Sequence, residues 1–121
     1  MRKSSLLATL SLLAVLNAPA VFAHAHLKAE VPAADSTASA PKELRLTFSE
    51  GVEAKFTKVV VKGADGQPVK VAGIAIDAGN AKVLVVTFDQ PLPAGSYSVE
   101  WHAVSVDTHK SEGHYGFKVA P

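Results

Sequence analysis

Hydrophobic and polar residues alternate along most of the chain beyond residue 24. The alternation is strict over residues 25–31 and 44–49, where apolar positions such as Leu27 and Leu46 follow polar ones. A period of two is typical of a strand with one buried face. Further runs rich in β-branched or aromatic residues lie at residues 58–62, 68–76, 82–88, 96–105 and 115–119.

Clusters of Gly, Pro, Asp, Asn and Ala separate these runs, and they indicate turns. No segment beyond the first 23 residues keeps a 3.6-residue apolar period. Seven strands with turns about every 8 to 12 residues predict an all-β fold, a seven-stranded Greek-key sandwich or barrel of immunoglobulin-like shape. The sequence has no cysteine, so we expect no disulfide. Alternation in the sixth run predicts that Trp101 lies in the core.

The first 23 residues have the features of a secretory signal peptide. Arg2 and Lys3 form a short positive segment, and an apolar stretch follows from Leu6 to Leu16. This stretch is too short for a membrane span, which needs about 20 apolar residues. We therefore predict a signal peptide at 1–23 and one domain at 24–121.

Two bonds satisfy the small-residue rule for signal cleavage. Cleavage after Ala23 has Val21 at the third position before the bond, and the alternative follows Ala20. Pro19 makes the alternative less favourable, because the protease needs an extended substrate. The favoured cleavage makes His24 the first residue and gives it a free α-amine.

The predicted domain has 98 residues, enough for one small core. Without Arg2 and Lys3 the formal charge is near −1, which argues against a nucleic-acid partner and against electrostatic docking on membranes. The only methionine is Met1 and cysteine is absent, so sulfur ligands for a metal are excluded from the domain.

Five histidines remain as candidates for chemistry. His102 alternates out of the core beside Glu100, which predicts a surface residue, and the same pattern places His26 on an exposed strand face. His114 follows Gly113 at the predicted entry to the last strand, where we expect a structural role.

Asp107 and His109 form the pair with the clearest metal-binding pattern. Residues two apart in an extended segment point to the same side, so this carboxylate and imidazole can meet one ion. If His24 is the first residue, its amine and ring Nδ1 add a chelate. Three nitrogens and one oxygen in a tetragonal arrangement favour copper(II), and we expect one ion per chain.

The same residues resemble those of the CopC-type periplasmic copper-binding protein family, which is linked to bacterial copper resistance. The resemblance covers nearly all of the predicted domain. It rests on the HAHL start at residue 24, the PAADS turn at residues 32–36, the LRLTFSEGVE run at residues 44–53 and the segment at residues 101–119.

The resemblance implies a small Greek-key β-barrel or sandwich and a copper(II) site at His24, Asp107 and His109. It also implies that Glu50 accepts a hydrogen bond near the site. We also expect a periplasmic protein, exported by its signal peptide, that is a monomer and not an enzyme. The resemblance implies its role: the protein would buffer copper, or deliver it to an inner-membrane copper transport protein or another partner. Some relatives carry a methionine-rich copper(I) site, which is not expected here.

Three alternatives remain open. A free amine followed by a histidine at position three can wrap copper(II) through deprotonated amides, and His26 meets that rule. Copper held by His24 and His109 also resembles the centre of lytic polysaccharide monooxygenases, so an enzyme is the second alternative. Asp107 disfavours it, because an anionic ligand stabilises copper(II) and occupies coordination space. In the third alternative the chain is a structural or adhesive sandwich with incidental histidines.

Overall fold

The chain folds into two packed β-sheets in the computed structural model, which describes residues 25–121. The predicted signal peptide and His24 lie outside the described residues. The all-β prediction is confirmed, and all seven predicted strands are present. The strands are β1 Leu27–Val31, β2 Thr37–Ala38, β3 Glu43–Phe48, β4 Lys58–Gly63, β5 Val71–Asp77, β6 Asn80–Phe88, β7 Gly95–Val104 and β8 Lys110–Val119, with a 3₁₀ turn at Ala54–Phe56.

One sheet has the strand order β1-β3-β6-β5, and the other has the order β2-β8-β7-β4. The short strand β2 was not predicted. It has two residues, too few to show a period, and it pairs in parallel with the end of β8. No helix in the part of the chain described here is long and apolar enough to cross a membrane.

Strand β8 begins at Lys110, earlier than the predicted start at residue 115. Its first half was not predicted because residues 110–114 contain no apolar side chain and therefore show no alternation. Gly113 is required by packing: a Cβ at this position would lie 2.6 Å from Cζ2 of Trp101. His114 therefore lies within a strand and not at its entry, which corrects the prediction for this residue.

The core lies between the sheets and follows the predicted alternation in β3 and β7, whereas in β1 Val31 is 63% exposed and the predicted apolar stripe is not buried. Leu44, Leu46 and Phe48 of β3 are buried, and so are Val99 and Trp101 of β7. The rings of Phe48 and Trp101 meet edge to face, with centroids 5.2 Å apart. The predicted core position of Trp101 is confirmed. Full burial of a large apolar side chain contributes about 1.5–3 kcal/mol.

The turn between β7 and β8 lies against the segment that follows β3, and this contact positions the candidate site. Val52 forms an isolated antiparallel bridge with Ser105. The Val106 N–H donates to the Gly51 carbonyl at 3.0 Å, and the Glu53 N–H donates to the Val104 carbonyl at 2.8 Å. One end of the sandwich thus joins a strand end from each sheet.

Candidate metal centre

Residues 105–109 form a tight turn between β7 and β8. The Ser105 N–H donates to the His109 carbonyl at 2.9 Å, and the Thr108 N–H donates to the Ser105 carbonyl at 2.8 Å. Thr108 has φ of 72°, a left-handed conformation that is rare for a β-branched residue. The backbone hydrogen bonds hold this strained conformation, so the turn has a defined shape.

The Ser105 hydroxyl lies at the centre of the turn. Ser105 is fully buried. Its hydroxyl donates to Oδ1 of Asp107 and accepts the His109 N–H at 3.2 Å. One buried oxygen therefore fixes both the carboxylate and the backbone of the histidine.

The other carboxylate oxygen of Asp107 lies 3.1 Å from Nδ1 of His109. The two side chains contact each other, but through a turn and not through the predicted extended segment, since Thr108 reverses the backbone. That they bind one metal ion together stays a prediction. The Ser105 hydrogen bond, helped by contacts with His109, lowers the pKa of Asp107 to about 2. Asp107 is therefore an anion at neutral pH, ready to orient an imidazole or bind a cation.

The first described residues run beside this turn. Ala25 is fully buried, and its carbonyl accepts the Ser111 hydroxyl at 2.7 Å. The His26 N–H donates to Oγ of Ser49 at 2.9 Å, and the Ser49 N–H donates back to the His26 carbonyl at 2.8 Å. Because Ser111 lies two residues after His109, these bonds anchor Ala25 next to the start of β8.

Glu50 lies between two of these anchor points. The preceding residue, Ser49, pairs with His26, and the Gly51 carbonyl that follows accepts the Val106 N–H. Its backbone is thus held between the N-terminal segment and the β7–β8 turn. The predicted role of Glu50 as a hydrogen-bond acceptor stays a prediction.

Within residues 25–121, no three His, Asp, Glu or Cys side chains are arranged to hold a metal ion. Asp107 and His109 supply two of the predicted ligands. The third, His24, lies outside the described part of the chain. A site of the predicted kind therefore requires a donor beyond the described residues.

Sequence reasoning missed the serine hydroxyls that organise this region. Ser49, Ser105 and Ser111 bind the segments around the predicted site to one another. Only Ser105 could have been inferred from the sequence, because it is a small polar residue two positions before Asp107. The other two are paired by the fold across long stretches of sequence.

A second group of histidines and carboxylates lies on the outer face of β7 and β8. Nε2 of His102 lies 3.0 Å from Oε2 of Glu100, and Nδ1 lies 3.2 Å from Oε1 of Glu112. The hydrogen bond with His102 lowers the pKa of Glu100. His114 stands opposite Glu100 in the strand register. The predicted surface position of His102 is confirmed.

Comparison with known proteins places these features in a family. The CopC domain model matches residues 27–120. Protein YobA of Escherichia coli strain K12 is 41% identical over 102 residues, which span 84% of this chain and 82% of that protein. The crystal structure of PcoC, a methionine-rich copper resistance protein from Escherichia coli, superposes with a TM-score of 0.72 at 41% identity, covering 81% of this chain and 100% of that one.

One relative is much longer than this chain. The copper transport protein CutJ of Bacillus subtilis strain 168 is 32% identical over 99 residues, which span 81% of this chain but 18% of that protein. The described domain thus resembles one part of a larger copper transport protein. In contrast to methionine-rich PcoC, this chain has methionine at position 1 alone.

Proposed function

The chain belongs to the CopC domain family, and from this premise we propose that it is an exported protein that binds one copper(II) ion per chain. The proposed role is copper buffering or delivery in copper homeostasis and resistance. The resistance name of PcoC, which is similar along its whole length, supports this role. The family match does not support the monooxygenase alternative, and we propose no catalytic activity.

The observation that carries the proposal is the pair formed by Asp107 and His109 beside an anchored Ala25. Ala25 follows His24 directly in the sequence, and its carbonyl is bound by Ser111, two residues after His109. Signal cleavage after Ala23 would give His24 a free amine. The amine, the His24 ring and the His109 ring would then supply three nitrogen ligands.

Asp107 completes the proposed donor set with an oxygen. Metal bonds to nitrogen and oxygen of about 2 Å put two adjacent ligand atoms roughly 3 Å apart. The 3.1 Å between Nδ1 of His109 and Oδ2 of Asp107 is compatible with that spacing. Nitrogen and oxygen donors without sulfur favour copper(II) over copper(I). Glu50 is proposed as a hydrogen-bond acceptor that orients a ligand.

The proposed location is the periplasm, and the proposed partner is an inner-membrane copper transport protein. The segment at 1–23 supports export, and removal of this segment is also what creates the amine ligand. The likeness to one part of CutJ supports the partner, because a domain found within a transport protein in one organism can serve it as a separate chain in another. We propose that the copper-binding form is a monomer.

The test combines the intact mass of the exported protein with a copper titration. We expect a mass that starts at His24 and one tightly bound copper(II) ion, with an affinity that falls as the pH drops below neutrality. The amine and the imidazoles must lose their protons to bind, and their reference pKa values are about 7.7–8.0 and 6.5. A mass starting at Val21, or an affinity unchanged between pH 8 and 5, would contradict the site.

A further inference from the structure

The outer face of β7 and β8 carries a compact group of imidazoles and carboxylates that the proposed copper site does not use. Glu100 and His102 alternate outward on β7, because Val99 and Trp101 point into the core. On β8 the register sets His114 opposite Glu100 and Glu112 opposite His102. Directly opposed residues have Cβ atoms about 4.5–5.5 Å apart, so the four side chains can meet.

His102 lies between two carboxylates. Its side chain is 46% exposed, while those of Glu100 and Glu112 are 57% and 74% exposed. A neutral imidazole has one N–H and can donate to only one carboxylate. The second carboxylate then faces a ring nitrogen that has a lone pair. A proton on that carboxyl group, a second proton on the ring or a metal ion satisfies both contacts.

The geometry points to a second metal site at this face, in which Glu100, His102 and His114 bind one borderline divalent ion such as Zn(II). Nε2 of His102 binds the ion together with the Glu100 carboxylate, which already lies 3.0 Å away. His114 reaches the same ion from across the strand pair. The Nδ1–H of His102 keeps its hydrogen bond to Glu112.

This ligand set matches known zinc chemistry. Two imidazoles and one carboxylate, with a water in the fourth position, form a recurrent tetrahedral site. A carboxylate that accepts the second N–H of a ligating histidine fixes the tautomer and the ring orientation, and Glu112 is placed for that role. Glu100, His102, Glu112 and His114 line one depression on this outer face.

In the structure the side chains bond to one another and do not surround an ion. Ion binding requires the side chains of His114 and Glu100 to rotate. Both side chains are exposed, and that of Glu100 is 57% exposed. Their backbone positions are rigid, because the β7–β8 ladder pairs every residue from Gly95 to Val104. Ordering exposed side chains has an entropic cost, so the site binds more weakly than the proposed copper centre.

The test measures zinc binding in a protein whose proposed copper site is disabled. The exported domain would carry one extra residue ahead of His24 together with His109→Ala. Zn(II) would be titrated while the imidazole ¹⁵N signals of His102 and His114 are followed by NMR. We expect both to shift together, with Nε2 as the bound nitrogen of His102.

Single substitutions in that background test the ligand assignment. His102→Gln, His114→Gln and Glu100→Gln should each weaken zinc binding at least about 10-fold, and Glu112→Gln by about 10-fold. Asp89→Asn is the matched control, since Asp89 pairs with Lys70 on the exposed surface, and it should change nothing.

Absence of coupled imidazole shifts at millimolar zinc would overturn the site, and so would an unchanged affinity in His114→Gln. Because the background lacks the proposed copper ligands, this result is independent of the proposed function. The copper titration of the unmodified protein reports on that function separately.

Discussion

The β7–β8 turn and the outer face of the same two strands share a three-residue pattern, in which an acidic residue lies two positions before a histidine. Asp107 and His109 bring a carboxylate within 3.1 Å of an imidazole, and Glu100 and His102 do so at 3.0 Å. The two pairs differ in what holds the carboxylate. Asp107 is bound by the buried hydroxyl of Ser105, whereas the carboxylate of Glu100 is paired with the half-exposed ring of His102.

This difference shows that an acidic residue two positions from a histidine does not by itself define a strong site. A ligand that is already held in place loses less conformational freedom on binding than one held only by exposed neighbours. We therefore expect the turn to bind copper(II) much more tightly than the outer face binds any ion.

The largest effect is expected from one extra residue ahead of His24. The extension turns the proposed amine ligand into an amide and moves the ring away from its chelating position. Copper(II) affinity should fall by more than about 100-fold, because two donors are lost together. A competition titration against a chelator of known affinity measures the change. Affinity within a few-fold of the unextended protein would exclude the terminal amine.

His109→Ala and His26→Ala separate the two geometries that share the His24 amine. His109→Ala removes a ring ligand, and copper affinity should fall at least about 10- to 100-fold. His26→Ala should leave affinity and the EPR spectrum nearly unchanged. The reverse pattern would place copper in a chelate made by the terminal peptide alone.

Ser105→Ala tests the anchor that distinguishes the turn from the outer face. Loss of this hydroxyl frees the carboxylate of Asp107, and copper affinity should fall about 10-fold. The His109 N–H also loses one acceptor and keeps its 3.4 Å contact with Oδ1 of Asp107, so the free energy of unfolding should fall by about 1 kcal/mol. Denaturant unfolding and copper titration measure the two effects.

Ser98→Ala is the matched control for the anchor, because Ser98 is an exposed serine of β7, the strand that leads into the turn. It should change neither property. Glu112→Gln should also leave copper affinity unchanged, since Glu112 belongs to the outer face. Equal losses in Ser98→Ala and Ser105→Ala would mean that the buried hydroxyl has no special role.

The smallest effect concerns the pH dependence of stability in the metal-free protein. The hydrogen bond from Ser105 lowers the pKa of Asp107 in the folded state from its ordinary value of 3.8 to about 2. A lowered pKa stabilises the folded state above the unfolded value, and this contribution is lost as the pH falls through the folded value. The stability advantage over Asp107→Asn should therefore shrink between about pH 4 and pH 2. An Asp107 carboxyl that titrates near pH 4 by NMR would contradict the proposed anchoring.

The strands could be predicted where their side chains alternate. In β3 and β7 one face is buried, so the period of two appears directly in the sequence. Alternation did not predict β2, which is only two residues long, or the first half of β8. There Gly113 is set by the ring of Trp101 on the neighbouring strand, a contact that local pattern does not record.

The sequence by itself determined the all-β class and the core position of Trp101, because each depends on the spacing of residues close together in the chain. It also singled out Asp107 and His109 as a pair, but their contact is made by a turn that the spacing did not predict. Only the tertiary structure decided that Ser105 is the buried anchor, that Ala25 is bound to Ser111, and that two Glu-x-His pairs from different strands share one face. These features join residues through the register of paired strands, and register is decided by packing of the whole sandwich and not by any one segment.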